Sequence, residues 1–375
     1  MIISRSKCLI TGSHDLEELH NYSSFPVFIG CTNQDKSKDK FADLKISISK
    51  TSGIIQLSEL LPLELIYSEY HSEALGSVWK NHHLEFSSFV KNNIKELSVL
   101  EIGGSNCELA DLCIKSNKKL CWSIVEPNLL KNSHKDISLY NGFIEERLDL
   151  VSSSWNVVHS HVLEHLYNPM DVLNKISKNQ ISGSRVIFSI PNLFDYLKHK
   201  FVNTINFEHT YFLTEEVVLF MFESLSYKLI EKRYYSNHSI FYCFEKVEDN
   251  KNNITITNNY EINKEAYLEM ISYYSSEVDL LNNAIHKHNG EVFIFGAHIF
   301  TQYLTYMGLD TKRIKCILDN SKIKLGKRLY GNILFVSNPD IIQGLTNPLV
   351  IVRAGQYQTE IVNQLNKINS SVVII

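Results

Sequence analysis

The stretch Val-Leu-Glu-Ile-Gly-Gly-Ser, residues 99–105, decides the fold predicted for this chain. Residues 98–102 form a short apolar run that is typical of a buried strand, and the run stops at Gly103 and Gly104. Apolar residues at helical spacing follow in residues 107–114. A strand that breaks into glycines before a helix is how an α/β fold brings its backbone close to a ligand.

Acidic residues lie at the ends of the first two predicted strands. Glu101 precedes the glycine turn, and the second strand, 121–125, ends on Glu126. A carboxylate roughly 20 residues past such a turn is placed to accept the ribose hydroxyls of a nucleoside. Further strands are predicted at 155–159 and 185–190, so the pattern indicates a parallel α/β sheet with a nucleoside-binding edge.

Two nucleoside cofactors fit this layout. A dinucleotide fold expects G-x-G-x-x-G, but the run after Glu101 is Ile-Gly-Gly-Ser-Asn-Cys-Glu, which lacks the second and third glycines. A shorter glycine turn suffices for the amino-acid part of S-adenosylmethionine (SAM), because no pyrophosphate has to be bound. The turn therefore favours SAM over a nicotinamide cofactor.

These motifs resemble the class I SAM-dependent methyltransferases. Glu101, Gly103 and an imperfect Ser105 match their E/D-x-G-x-G turn, Glu126 matches their ribose acid, and Ser-His-Val-Leu-Glu-His at 160–165 matches their post-strand signature. The resemblance implies a Rossmann-like α/β fold with a seven-stranded sheet and SAM as cofactor. The cofactor-binding residues that we predict are Glu101, Gly103, Gly104, Glu126, Pro127 and His161, the last as a wall of the adenosine pocket.

Composition excludes several classes of protein. The 375 residues allow two or three domains, and 44% hydrophobic residues with a net charge of −4 give no electrostatic case for a nucleic-acid partner. No apolar run is long enough for a signal peptide or a membrane span. The seven cysteines are scattered without a C-x-x-C pair, so we expect reduced thiols, no metal site and a cytoplasmic protein.

Three domains are predicted along the chain. Residues 1–66 are predicted to form a small β-rich module, 67–250 the SAM-binding domain, and 260–375 a second, smaller α/β unit. A polar, asparagine-rich linker separates the last two. The SAM-binding domain ends in a predicted antiparallel hairpin, 227–247, which favours a methyltransferase sheet over a plain dinucleotide domain.

Catalytic candidates follow the predicted strands. Glu208 and His209 precede a helix that begins near Thr214, and a histidine there can remove a proton near neutral pH, with the carboxylate supporting it. A structural histidine is an equally good interpretation from spacing alone. Tyr70 and His165 could reach the reacting centre, or could serve only in a helix entry and a helix cap.

The combined layout resembles the three-domain sugar C-methyltransferases. In that family an E-H pair and an upstream tyrosine act at the sugar, which implies catalytic roles for Tyr70, Glu208 and His209, with His165 as a further active-site histidine. The family holds zinc in its N-terminal module with C-x-x-C pairs. Here Thr11 stands three residues after Cys8, where a C-x-x-C pair would have its second cysteine. We therefore predict a degenerate module without metal.

The resemblance implies SAM-dependent C-methylation of a nucleotide-linked keto-sugar for a surface polysaccharide or glycoconjugate. The expected partner is that small molecule, with no nucleic acid and no membrane insertion. O-methylation of a sugar hydroxyl, a nicotinamide-dependent sugar oxidoreductase or epimerase, and a non-catalytic binding module are the alternatives.

Overall fold

The computed structural model describes residues 2–68, 77–104, 106–129, 136–151, 156–248 and 254–375. Two residues of the sequence predictions, Tyr70 and Ser105, lie outside the described residues.

The N-terminal part of the chain is built of short antiparallel strands. They are β1 (Ile3–Ser4), β2 (Leu16–Pro26), β3 (Cys31–Thr32), β4 (Phe41–Ser49), β5 (Ile55–Leu57) and β6 (Glu59–Leu60). β2, β4 and β5 form a three-stranded sheet, and β1 pairs with β6. Leu44, Ile46 and Ile48 alternate along β4 and are buried, because successive side chains of a strand point to opposite faces.

The central domain contains a seven-stranded sheet flanked by helices. Its elements are α1 (Leu63–Ile66), α2 (Ser77–Asn93), β7 (Ser98–Ile102), α3 (Glu108–Ser116), β8 (Cys121–Glu126), β9 (Ile137–Asn141), β10 (Asn156–Ser160), α4 (Pro169–Asn179), β11 (Arg185–Pro191), α5 (Leu193–Lys198), α6 (Glu215–Glu223), β12 (Tyr227–Tyr235) and β13 (Ser239–Lys246).

The order of the central sheet is β12-β13-β11-β10-β7-β8-β9. The five strands from β11 to β9 are parallel, whereas β13 is antiparallel to both β11 and β12. This arrangement confirms the predicted class I methyltransferase-like fold, including its antiparallel hairpin. The carboxyl ends of β7, β8, β10 and β11 meet at one edge, where open α/β sheets bind ligands.

The C-terminal domain is a second α/β unit. Its elements are α7 (Tyr260–Lys287), β14 (Val292–Phe295), α8 (Ile299–Tyr306), β15 (Ile314–Leu318), β16 (Arg328–Leu329), β17 (Val336–Ser337), β18 (Leu349–Val352), α9 (Gln358–Ile368) and β19 (Val373–Ile374). The parallel sheet has the order β17-β15-β14-β18-β19, so its topological switch point lies between β14 and β18.

The N-terminal strands pack against both larger domains. The Arg5 guanidinium donates to the carbonyl oxygens of Thr210 (2.8 Å) and Tyr167 (2.6 Å) in the central domain. On the other side, β3 pairs with β16 of the C-terminal domain. The hydroxyl of Tyr22 lies 3.1 Å from that of Tyr267 on α7. The N-terminal part of the chain therefore joins the two α/β units.

A buried ion pair reinforces this junction. Both oxygens of Asp39 accept hydrogen bonds from the guanidinium of Arg328 at 2.7 Å, and the two side chains are 0% and 6% exposed. Replacing Asp39 with alanine leaves a buried guanidinium without its carboxylate, so we expect a loss of about 3 kcal/mol in the free energy of unfolding. Urea denaturation measures it. Asp279→Ala, at an exposed position on α7, is the control and should be close to neutral; equal stability of the two variants would contradict the prediction.

Two further features concern the whole described chain. All seven cysteines are free thiols. Among the described residues, none of the helices combines the length and the apolar character needed to cross a bilayer.

Candidate active site

The glycine turn after β7 presents bare backbone at the carboxyl edge of the central sheet. Gly103 has φ +75°, and its N–H donates to the carbonyl oxygen of Val125 at 2.9 Å. A Cβ added at Gly103 would lie 2.5 Å from a methyl carbon of Val162, and one at Gly104 would lie 2.6 Å from a methyl carbon of Ile124. Neither position accepts a side chain, so the packing around the turn requires glycine at both.

Glu101 lies beneath this turn and is 4% exposed. Its Oε2 accepts a hydrogen bond from the indole N–H of Trp122 at 2.7 Å. Burial raises the pKa of the Glu101 carboxyl to about 7. The hydrogen bond from Trp122 lowers this pKa, and the charge of Glu126 raises it further. The carboxyl is therefore partly protonated at neutral pH in the free protein.

This raised pKa predicts a pH-dependent stability difference for Glu101→Gln. The folded state holds the proton more tightly than the unfolded chain, so wild-type stability falls as pH rises from about 4.5 through 7. Glutamine carries no charge and avoids this loss. We expect urea denaturation of the ligand-free proteins to show the variant more stable by about 1–3 kcal/mol at pH 8, with the advantage vanishing near pH 4. A difference independent of pH would contradict the assignment.

Glu126 closes the other side of the turn, at the end of β8. It is 8% exposed, and its Oε1 accepts a hydrogen bond from the backbone N–H of Asn128 at 2.8 Å. Pro127 follows it, and its carbonyl oxygen accepts from the Asn141 side chain at 3.1 Å. An open glycine turn flanked by a carboxylate at the next strand tip fits SAM, whose ribose hydroxyls require an acceptor.

His165 is at the centre of a polar group beyond β10. It ends a 3₁₀ turn, Leu163–His165, and its Nδ1 lies 3.3 Å from the hydroxyl of Tyr67. The same nitrogen lies 4.0 Å from Oε2 of Glu208. The sequence predicts that Glu208 supports its neighbour His209, whereas the structure places the Glu208 carboxylate against His165.

His209 faces His165 edge-on, with ring centroids 4.9 Å apart and an interplanar angle of 89°. The side-chain oxygen of Asn206 accepts the backbone N–H groups of Glu208 and His209, both at 2.8 Å, which fixes the loop. Nδ1 of His209 is buried and has no hydrogen-bond partner among the described residues. Burial, with a smaller contribution from His161, lowers the His209 pKa to about 3. The imidazole is therefore neutral at physiological pH.

Glu164 completes this group and was not among the predicted site residues. It is 0% exposed, and neither of its oxygens accepts a hydrogen bond from the described residues. Burial raises the pKa of its carboxyl to about 7. Single ligand atoms from Glu164, His165 and His209 all lie within 4.8 Å of one another. Its position within the 160–165 motif is the only sequence signal for it.

His161 follows the carboxyl end of β10, and its side chain contacts residues of α2 and β13. Its φ is +53°, and its N–H donates to the carbonyl oxygen of Ser189 at 2.9 Å. Its Nε2 lies 2.9 Å from the hydroxyl of Ser239, and its ring contacts Trp79 with centroids 4.9 Å apart. A role in cofactor binding stays a prediction.

Comparison with known proteins gives one family match. Residues 254–373 match the family described as the C-methyltransferase C-terminal domain. No curated protein matches the chain.

Solved structures resemble the chain remotely. They include a chain of the complex between the Haloferax volcanii Trm112 methyltransferase activator and a methyltransferase (TM-score 0.39, 10% identity, 45% of this chain and 92% of that one). A SAM-dependent methyltransferase from Thermotoga maritima gives TM-score 0.37 and 16% identity over 45% of this chain and 92% of that one. PigF with S-adenosylhomocysteine gives TM-score 0.34 and 13% identity over 49% of this chain and 64% of that one.

Proposed function

We propose that this chain, a methyltransferase whose cofactor is SAM, methylates a carbon next to the keto group of a nucleotide-linked sugar. The observation that carries the proposal is the buried, unpartnered Nδ1 of the half-buried His209, in a chain whose residues 254–373 match the C-methyltransferase C-terminal domain family. Carbon acids need a base at the reacting carbon, and His209 offers one.

The cofactor is assigned to the glycine turn. SAM, when bound, supplies an electrophilic methyl group. Glu126 would accept hydrogen bonds from the ribose hydroxyls, and the backbone at Gly103 and Gly104 would lie against the amino-acid part. Glu101 and Pro127 complete the predicted cofactor residues. These residues would orient the methyl donor toward the loop that carries His209.

The acceptor is assigned to the group around His165 and His209. His209 would remove a proton from the carbon next to the ketone, leaving the electron pair of that C–H bond to the ketone oxygen as an enolate. His165 and the predicted Tyr70 would donate hydrogen bonds to this oxygen. Glu208, 4.0 Å from His165, would help to orient that imidazole.

The C-terminal domain is assigned to the nucleotide. At the carboxyl end of β14, Gly296 has φ +100°, and the next residue, Ala297, donates its N–H to Asp319 at 2.8 Å. Nζ of Lys324 lies 3.1 Å from the carbonyl oxygen of Ala297 and 3.3 Å from Oδ2 of Asp319, so a cation paired with a carboxylate lies at this glycine turn. A phosphate-bearing ligand suits such a place. We assign the reaction to cytoplasmic synthesis of a surface polysaccharide or glycoconjugate.

The test is incubation of the purified chain with methyl-labelled SAM and a panel of nucleotide-linked sugars with and without a keto group. We expect label to enter only keto-sugars, and NMR of the product to place it on carbon next to the original ketone. A methyl ether in the product would identify an O-methyltransferase instead. No transfer to any nucleotide sugar, with SAM still bound, would contradict the proposed acceptor.

A further inference from the structure

Three histidines outside the His165–His209 group meet from three separate elements. His82 lies on α2, His161 follows β10, and His238 lies in the turn between β12 and β13. Ring centroids are 5.4 Å apart for His82 and His161, 5.3 Å for His82 and His238, and 5.6 Å for His161 and His238. One ring nitrogen from each lies within 4.8 Å of the other two.

In this histidine cluster, nitrogens of two of the histidines meet at one hydroxyl, and Nε2 of the third, His82, lies 2.9 Å from the hydroxyl of Ser189. Nε2 of His161 and Nδ1 of His238 lie 2.9 Å and 2.5 Å from the same hydroxyl oxygen, that of Ser239. His82 is 0% exposed, and its Nδ1 has no hydrogen-bond partner among the described residues. A buried imidazole nitrogen without a partner is costly, so this nitrogen calls for a ligand.

An aromatic ring packs against the cluster. The indole of Trp79 covers the histidines, with its ring centroid 4.6 Å from that of His238 and 5.2 Å from that of His82.

A carboxylate lies behind the cluster. Nδ1 of His161 is 3.4 Å from Oε1 of the buried Glu164, on the opposite side of the ring from Nε2. Histidine ligands of metals commonly direct their second nitrogen at a carboxylate, which orients the ring and makes the ligating nitrogen more basic. The Glu164 carboxyl accepts no hydrogen bond from the described residues, so its ionised form would favour a cation nearby.

We propose that His82, His161 and His238 bind a divalent transition-metal ion, with Zn²⁺ the best match. Three imidazole nitrogens suit Zn²⁺, Co²⁺ or Ni²⁺, whereas Ca²⁺ and Mg²⁺ require oxygen ligands. Zinc–nitrogen bonds of about 2.0–2.1 Å bring ligand nitrogens to roughly 3.3 Å from one another, so the rings close slightly around the ion. The Ser239 hydroxyl or a water completes four-coordination. The metal proposal does not rest on the identity of the methyl acceptor, although Glu164 lies next to both groups of histidines.

The test uses untagged full-length protein, stripped with chelator and then titrated with ZnCl₂ or CoCl₂. We expect one Zn²⁺ per chain by elemental analysis after gel filtration, the visible absorption of four-coordinate Co²⁺, and a melting temperature that rises with Zn²⁺. His238→Gln, in a turn, and His161→Gln should each weaken Zn²⁺ binding by at least about 100-fold. Circular dichroism establishes that each variant is folded.

Matched controls separate this site from others. His159→Gln alters a buried histidine that stacks on Phe188, and Cys121→Ser removes an exposed thiol; both should bind Zn²⁺ as the wild type does. The proposal is overturned if the wild type binds no Zn²⁺, if binding survives in folded His238→Gln, or if Cys121→Ser abolishes it. Because each readout is metal content or a spectrum, the outcome is decided even if no methyl acceptor is found.

Discussion

Replacing His209 with alanine is expected to lower the rate constant for methyl transfer by about 10²–10⁴-fold, the usual range for loss of a general base. His209 is neutral because burial lowers its pKa to about 3, which leaves one ring nitrogen free to accept a proton but also makes the ring a weaker base than free imidazole. Its loop is fixed by Asn206 and does not depend on the ring. Single-turnover transfer from labelled SAM to a keto-sugar measures the effect.

The control for this variant is His286→Ala, which removes an exposed histidine from α7. It should transfer methyl at the wild-type rate. Affinity for S-adenosylhomocysteine should be unchanged in His209→Ala, and added imidazole should restore part of its activity. Full activity of His209→Ala would contradict the role of His209 as the general base. A loss of cofactor affinity as large as the loss of activity would contradict it as well.

Glu126→Ala is expected to weaken binding of S-adenosylhomocysteine by about 10–100-fold. The carboxylate lies at the tip of β8, beside the glycine turn, where it would accept hydrogen bonds from the ribose. Hydrogen bonds to a charged acceptor each contribute about 1.5–3 kcal/mol, which corresponds to this change in Kd. Isothermal titration calorimetry with the product measures it.

Two comparisons make this result specific. Glu265→Ala, at an exposed position on α7, should bind S-adenosylhomocysteine with wild-type affinity. Ligand-free Glu126→Ala should melt near the wild-type temperature, which shows that the variant is folded. If its affinity equals that of the wild type, the cofactor does not bind at the tip of β8.

The parallel strands of the central sheet were the most predictable elements. β7 has the predicted bounds, and β8, β10 and β11 begin and end within one residue of theirs, because each is an apolar run that ends at glycine, charge or turn residues. β9 was not predicted. It is an edge strand with residues such as Ser138 and Asn141, and its pairing to β8 is decided by the neighbouring strand and not by its own composition.

The positions of the candidate cofactor residues were predictable where these residues lie at the end of a strand. The glycine turn and Glu126 lie where the sequence placed them, because parallel strands carry their carboxyl ends to one edge. The contact of Glu208 with His165 was not predictable, because adjacent residues of a loop need not point the same way. The histidine cluster was equally hidden, since His82, His161 and His238 are distant in sequence and meet only through packing.

The pairing of β3 with β16 has a consequence for biosynthesis. Residues 31–32 find their hydrogen-bond partners only at residues 328–329. During translation β3 must therefore wait for its partner until residue 329 has been synthesised, whereas β2, β4 and β5 can pair earlier. Contacts of such long sequence separation are slow to form, and unpaired strand edges invite aggregation meanwhile. Nascent chains of this protein should accordingly depend on chaperones until the last third has been synthesised.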